Sequence, residues 1–401
     1  MSNQIPLSAP DITQREIDAV VDVLRTPTLT CGPVLAELEK VCARMAGRRN
    51  GIAVSSGTAA LHCIAMAAGL GPGDEVITTP MSFVASTNCI LYTGARPVFV
   101  DINAQTLNLD PARLEAAISP KTRAIVVVEA FGHPGGIEEI EQIAQRHELL
   151  LIEDSCQSLG AKVHGRPLGS FGRASCFSFY PNKQVTAGEG GMIVTDDDRF
   201  DAVCRMLRNH GRDGNAWLAH QRLGYNYRMS ELNAALALAQ LSRFDEIVAK
   251  RRQAAHTYFE LLIDNRYLIL PTIDGDTTMS WYVFGVRLND LFEPGDRDEV
   301  IRLLRCDGIG CSNYFPPIHL QPYIVEQIGT RQGDLPVCER IAERTLVLPF
   351  FTQITQGQIQ RVCESLDKAI EKVLMGPSAG RAQALELSRR LGNVAFILLC
   401  P

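Results

Sequence analysis

Ser178-Phe179-Tyr180-Pro181-Asn182-Lys183, followed by Gly188-Glu189-Gly190-Gly191, is the stretch from which the rest of this chain can be read. Residues 174–180 form an apolar, strand-like run, and 192–195 form a second one. A turn-rich loop and a glycine cluster separate them, so Lys183 is expected on a loop at a strand end. Most lysines are solvated surface residues. This one has a serine five residues before it, and about thirty residues upstream an Asp-x-x-Gln, Asp154 to Gln157, follows another apolar run. A lysine held in a partly dry crevice can give up its proton and form a Schiff base with an aldehyde.

The chain has 401 residues, long enough for two domains and a sizeable core. Hydrophobic residues make up 46% and charged residues 21%, the balance of a soluble globular protein. A net charge of -6 gives no footprint for nucleic acid. The short clusters Arg48-Arg49 and Lys250-Arg251-Arg252 read as solvated helix faces. The twelve cysteines are scattered and form no Cys-x-x-Cys. With no secretory leader at the N-terminus, the expectation is reduced, mostly buried thiols in the cytoplasm and no metal site. The apolar run 394–400 is too short to cross a bilayer.

Residues 1–11 read as extended, 13–25 and 34–46 as helices, and 27–33 as a loop. From there strands expected at 52–54, 75–78, 97–101, 124–130 and 149–153 alternate with helices at 59–68, 82–93, 111–118 and 137–147. Continuous apolar strands between amphipathic helices imply a mainly parallel sheet covered on both faces. Ligands of such sheets sit at the carboxyl ends of the strands. Ser230 can cap a long helix from Glu231 past Arg251, with Leu232, Ala235, Leu236 and Ala239 facing inward. Strands at 281–288 and 345–348 and helices at 297–306 and 356–374 suggest a smaller α+β domain. The expected division is a large domain over 12–245, a small one over 246–375 joined by segment 1–11, and a tail over 376–401 of no assigned role.

Several residue groups bear on chemistry. Asp154 closes an apolar run, where a carboxylate can pair with a protonated pyridine nitrogen and keep the ring electron-poor; taken alone, a helix cap or loop aspartate is the commoner case. Gln157 is placed to bond a ring hydroxyl. Ser55-Ser56-Gly57-Thr58-Ala59 lies between a strand and a helix, so its N–H groups suit a phosphate, or a plain N-cap. Ser178 is a second phosphate candidate. Phe83 could stack on a flat ring, though a core phenylalanine is commoner. In Gly224-Tyr225-Asn226-Tyr227-Arg228, Asn226 could donate to a phosphate and Arg228 could hold an anion. Tyr314 and His319 lie in a stiff aromatic loop, where a histidine is more often structural. His133 has a plausible position and no nameable partner. Together these are the parts needed to hold pyridoxal phosphate against Lys183.

As a set, Ser56-Gly57-Thr58-Ala59, Phe83, Asp154-Ser155-Cys156-Gln157, residues 178–183 and residues 224–228 resemble the DegT/StrS-type pyridoxal phosphate-dependent aminotransferases that act on nucleotide-linked keto sugars. The resemblance runs from residue 5 to about 374. It implies the type I aminotransferase fold and a homodimer. By the same resemblance Lys183 would be joined to the cofactor, Asp154 would bind its ring nitrogen, Gln157 its hydroxyl, and Phe83 the ring face. Thr58, Ala59 and Ser178 would bind the phosphate, and Asn226 the phosphate in the neighbouring subunit. Arg228, Tyr314 and His319 would face the sugar. The amino donor would be an amino acid, with glutamate expected, and the product an amino sugar for surface polysaccharide or secondary metabolism. Relatives with histidine in place of the lysine dehydrate sugars; Lys183 argues against that branch. It argues equally against a non-catalytic regulator on the same fold.

Overall fold

The computed structural model describes residues 4–213, 219–273 and 275–376. The tail 377–401 and the middle of the loop between Gly211 and Arg222 lie outside the described residues.

Seven strands build the main sheet: β1 Asn50–Val54, β2 Glu75–Thr78, β3 Arg96–Phe99, β4 Thr122–Val128, β5 Leu150–Asp154, β8 Ala174–Ser178 and β9 Gly191–Thr195. Their order is β1-β9-β8-β5-β4-β2-β3. Only β9 runs against the others. Strand residues are apolar on both faces because both faces are covered. Ala124 and Val126 pack on one side with α3 Gly57–Ala67, while Ile125 and Val127 pack on the other with α6 Ile137–Arg146. Helices α1 Gln14–Leu24, α2 Pro33–Met45, α4 Ala85–Leu91, α5 Pro111–Leu114 and α7 Asp198–Arg208 complete this part. The fold is α/β, with a mainly parallel central sheet covered by helices on both faces.

A second apolar core forms around a sheet of β10 Leu268–Ile269, β12 Phe284–Leu288 and β13 Thr345–Leu348. It packs α9 Phe244–Leu262, α10 Asp296–Cys306 and α13 Gln356–Leu374. Ile5 joins this core, and its N–H and C=O bond Gly308 and Gly310 at 2.9 and 2.7 Å. Short helices α11 Pro322–Ile328 and α12 Pro336–Ala342 follow the aromatic loop. A small sheet of β6 Lys162–Val163, β7 Arg166–Pro167 and β11 Thr277–Thr278 links the two parts.

Several expected elements differ. The helix beginning at Glu231 stops: α8 Glu231–Leu241 and α9 are separate. At the break Arg243 turns inward to Asp11 at 3.1 Å and Glu16 at 2.6 Å, a buried ion cluster that a straight helix would pull apart. Leu232 and Leu236 are half-buried, while Ala234, Ala235, Ala237 and Ala239 are buried. Glu231 is buried too, and its carboxylate accepts the N–H groups of Gly32, Val34 and Leu35 at 2.8 to 3.1 Å. It caps α2, whose own N-cap residue is a glycine. The strand expected from 281 begins at Phe284, because Trp281 takes a left-handed φ of 49°. α4 starts at Ala85 rather than at Ser82, whose hydroxyl bonds Ser86 at 3.0 Å. The basic clusters are solvated only in part: Arg49 and Arg252 are exposed, but Arg48 reaches the carbonyls of Gly169, Phe171 and Gly172, and Arg251 is buried.

Candidate active site

The parallel strands place their following loops on one edge of the sheet. The loops after β1, β5 and β8 therefore converge, carrying Gly57, Asp154 with Gln157, and Ser178 with Lys183. Gly57 marks how closely: a Cβ there would come within 2.9 Å of Cys156 Sγ and 3.0 Å of Ser178 Cβ. The lysine loop is a closed hairpin between antiparallel β8 and β9. Phe179 N–H bonds Gly190 at 2.9 Å, Ala187 N–H bonds Phe179 at 2.8 Å, and Lys183 N–H bonds Tyr180 at 2.9 Å.

Asp154 is buried and heavily engaged. Ser86 Oγ donates to its Oδ2 at 2.7 Å, Cys156 N–H to Oδ1 at 3.3 Å, and the Cys176 thiol to Oδ1 at 3.7 Å. Lys183 is half-buried, and burial pulls its amine below the ordinary lysine range. The charges of Cys156, Asp154, Tyr314 and Cys176 act in the opposite direction. The amine lies 4.0 Å above the ring centroid of Tyr282. Asp154, Cys156 and Cys176 gather three potential ligand atoms within 4.8 Å of one another. Cys176 beside it favours the Cys156 thiolate, but burial and Asp154 raise that thiol on balance, and burial raises Cys176 well up. Within this cluster the Cys156 N–H and the Cys176 thiol both point at Asp154 Oδ1, so the two cysteines pack around that carboxylate.

Gln157 is buried, and its side-chain oxygen accepts Phe131 N–H at 2.9 Å. That leaves its NH2 as the group available to an acceptor. At the start of α3, Gly57 and Thr58 N–H have no acceptor within the helix, as at any helix N-terminus. The expectation for Ala59 is corrected in part: its N–H is already taken by Ser56 Oγ at 3.1 Å. Ser178 is half-buried, and Phe83 is 61% exposed. Asn226 is exposed, and Arg228 is held by Asn209 Oδ1 at 2.9 Å. Tyr314 stacks against Tyr282 at 6.5 Å. His319 does not join the site. It is 0% exposed and meets Glu339 at 2.9 Å, so the ordinary structural reading of that histidine replaces the substrate role. His133 is likewise buried, with Gly135 N–H on its Nδ1 at 3.0 Å.

Sequence reasoning passed over Ser86, Cys176, Tyr282 and Arg251. Two had a local signal. Ser82 and Ser86 lie at helical spacing beside Phe83, and Cys176 shares a strand face with Ser178. Tyr282 and Arg251 had none.

A profile of the DegT/DnrJ/EryC1/StrS aminotransferase family matches residues 10–367. The chain belongs to this family. It is 38% identical over 370 residues to the GDP-perosamine synthase of Caulobacter vibrioides, covering 92% of this chain and 98% of that one. Among solved structures, the aminotransferase fold is matched by DesV of S. venezuelae at a TM-score of 0.86, with 31% identity over 92% of this chain and 99% of that one. The sugar aminotransferase Spr1654 of Streptococcus pneumoniae, described as putative and solved in its PLP form, matches at a TM-score of 0.88, with 27% identity over 92% of this chain and 99% of that one. This aminotransferase therefore uses pyridoxal phosphate and acts on a sugar and an amino donor. No helix among the described residues is long and apolar enough to cross a membrane.

Proposed function

We propose that this aminotransferase moves an amino group from glutamate to a nucleotide-linked keto sugar in the cytoplasm, giving an amino sugar for surface polysaccharide or secondary metabolism. The observation that carries the reading is the half-buried Lys183 amine gathered with the buried Asp154 carboxylate at the carboxyl edge of the sheet. The naming of a relative for a nucleotide-linked amino sugar supports the substrate class.

The donor set suits the cofactor: an acid, an amine, a helix N-terminus and a hydroxyl. When bound, pyridoxal phosphate supplies an aldehyde that joins amines and a cationic ring that draws off electrons. Asp154 holds the proton on the ring nitrogen, and Ser86 and Cys156 aim its two oxygens. Gln157 donates its NH2 to the ring hydroxyl, and Phe83 covers the ring face. The N–H groups of Gly57 and Thr58, with Ser178 Oγ, take the phosphate, aided by the positive end of α3. Lys183 Nζ anchors the resting cofactor. With its amine free, Lys183 Nζ would take the proton from the substrate carbon as base and return it as acid to the carbon that carried the cofactor's aldehyde. Arg228 and Tyr314 face the sugar. The protein acts as a homodimer in which Asn226 reaches the partner subunit's phosphate. The exposed side chains of Phe83 and Tyr180 beside the site support a covering second subunit.

Borohydride reduction of the protein with pyridoxal phosphate is expected to fix the cofactor on the Lys183 peptide. A panel of nucleotide-linked keto sugars with glutamate, read by mass, is expected to show replacement of oxygen by an amine in one member. Lys183→Ala should slow that conversion by about 10²–10⁴-fold. Full activity in Lys183→Ala would end the proposal.

A further inference from the structure

Tyr282 and Arg251 stand outside every role above, yet both are built around Lys183. The Lys183 amine rests 4.0 Å above the Tyr282 ring centroid. That ring is fixed from three directions. Its hydroxyl accepts Asn182 Nδ2 at 3.1 Å, and Tyr314 stacks beside it. At the backbone, the buried Arg251 guanidinium donates to the carbonyls of Trp281 at 3.1 Å, Tyr282 at 3.2 Å and Lys183 at 3.0 Å. One side chain on α9 thus clamps the backbone of the lysine to the backbone of the tyrosine. Burying a guanidinium with no carboxylate bonded to it is costly, even with the Phe350 ring 5.6 Å away, and here the burial drags it down to about 10. The arrangement makes sense if the relative position of ring and amine matters.

We propose that the face of Tyr282 is a seat for the Lys183 ammonium, with Arg251 as the residue that holds seat and lysine in register. The inference rests on the reading of Lys183 as the proton carrier. Each time Nζ takes the substrate proton it becomes a cation in a half-dry site. The negative face of an aromatic ring stabilises a cation there, without offering the fixed negative charge that would hold the proton permanently. Asp154 could not serve for this, being committed to the ring nitrogen. The groups facing the amine are Cys156, Asp154, Tyr314 and Cys176, besides the Tyr282 ring. Tyr282 is a positioning residue in this scheme, acting through the lysine.

The test uses full-length protein carrying pyridoxamine phosphate, in which nothing is joined to Lys183. Trace labelling with acetic anhydride across pH, read on the Lys183 peptide, gives the midpoint at which the amine becomes reactive. Tyr282→Phe is expected to keep the midpoint of the unaltered protein. Tyr282→Leu is expected to lower it by about one pH unit. Since leucine at a buried position could unfold the chain, fluorinated phenylalanines at 282 form a second series of nearly constant shape. Each added fluorine drains the ring face and should lower the midpoint further. A flat fluorine series, or a Tyr282→Phe midpoint as low as that of Tyr282→Leu, overturns the proposal. Failure of the functional reading looks different: borohydride would then leave the Lys183 peptide unmodified.

Discussion

Ser86 shows how much of a site can rest on one hydroxyl. Its Oγ meets Asp154 Oδ2 at 2.7 Å and Ser82 Oγ at 3.0 Å, so the carboxylate is aimed by a side chain that itself touches no substrate. A hydrogen bond to a charged group contributes about 1.5–3 kcal/mol. Ser86→Ala should therefore weaken retention of pyridoxal phosphate by about tenfold or more, measured by fluorescence titration, while the fold is kept. Unchanged affinity would mean that Asp154 is aimed by Cys156 and Cys176 alone. The residue scale is also where the sequence is easiest to misjudge. His319 and Arg228 look alike as polar groups in aromatic loops. Only their partners, Glu339 and Asn209, separate a buried structural pair from a half-buried side chain near the surface.

Among the elements, the break between α8 and α9 carries the clearest consequence. Arg243, Asp11 and Glu16 form a buried cluster there. Burial alone would raise the Glu16 carboxyl, but Thr13 and Arg243 outweigh it and hold it down to about 2, below its ordinary 4.5. Asp11 shifts downward likewise. A carboxyl depressed in the folded state adds stability that is fully present above about 4.5 and is lost as pH falls toward 2. Arg243→Met leaves buried Glu16 without its cation and Asp11 with only Lys250, at 3.6 Å, and should cost about 3–5 kcal/mol at pH 7. The gap between variant and unaltered protein should narrow as pH falls from 4.5 toward 2, seen in urea unfolding at a series of pH values. A gap independent of pH would show that packing, not charge, is what Arg243 supplies. Elements with strong periodicity were legible beforehand: β2 runs over 75–78 and α13 over 356–374, as their apolar spacing predicts. The helix break was not, because its cause lies more than two hundred residues away in Asp11 and Glu16.

At the scale of the molecule, the proposed function divides each site between two subunits. Asn226 is exposed on its own chain, as a residue serving the partner must be. Mixing Lys183→Ala chains with Asn226→Asp chains should then rebuild one intact site in each mixed dimer. Activity should recover to about a quarter of that of the unaltered protein, although each variant alone is nearly inactive. No recovery after subunit exchange, confirmed by mass, would confine each site to one chain.

The sequence by itself determined the alternation of strands and helices and the strand-end positions of Lys183, Asp154 and Ser178, the residues proposed for the site. These are legible because strand, turn and helix start are local, and each motif sits within a few residues of the element that positions it. Tertiary structure alone decided what surrounds them. Ser86 reaches Asp154 across 68 positions and Arg251 reaches Lys183 across 68 more, while Gln184 bonds Ser280 across 96. Such contacts depend on how elements far apart in the chain pack, within the main sheet for Ser86 and between the two cores for Arg251, and no spacing along the chain encodes that distance in space. A buried arginine bound to carbonyls has the same letters around it as a solvated one; only the fold removes the water.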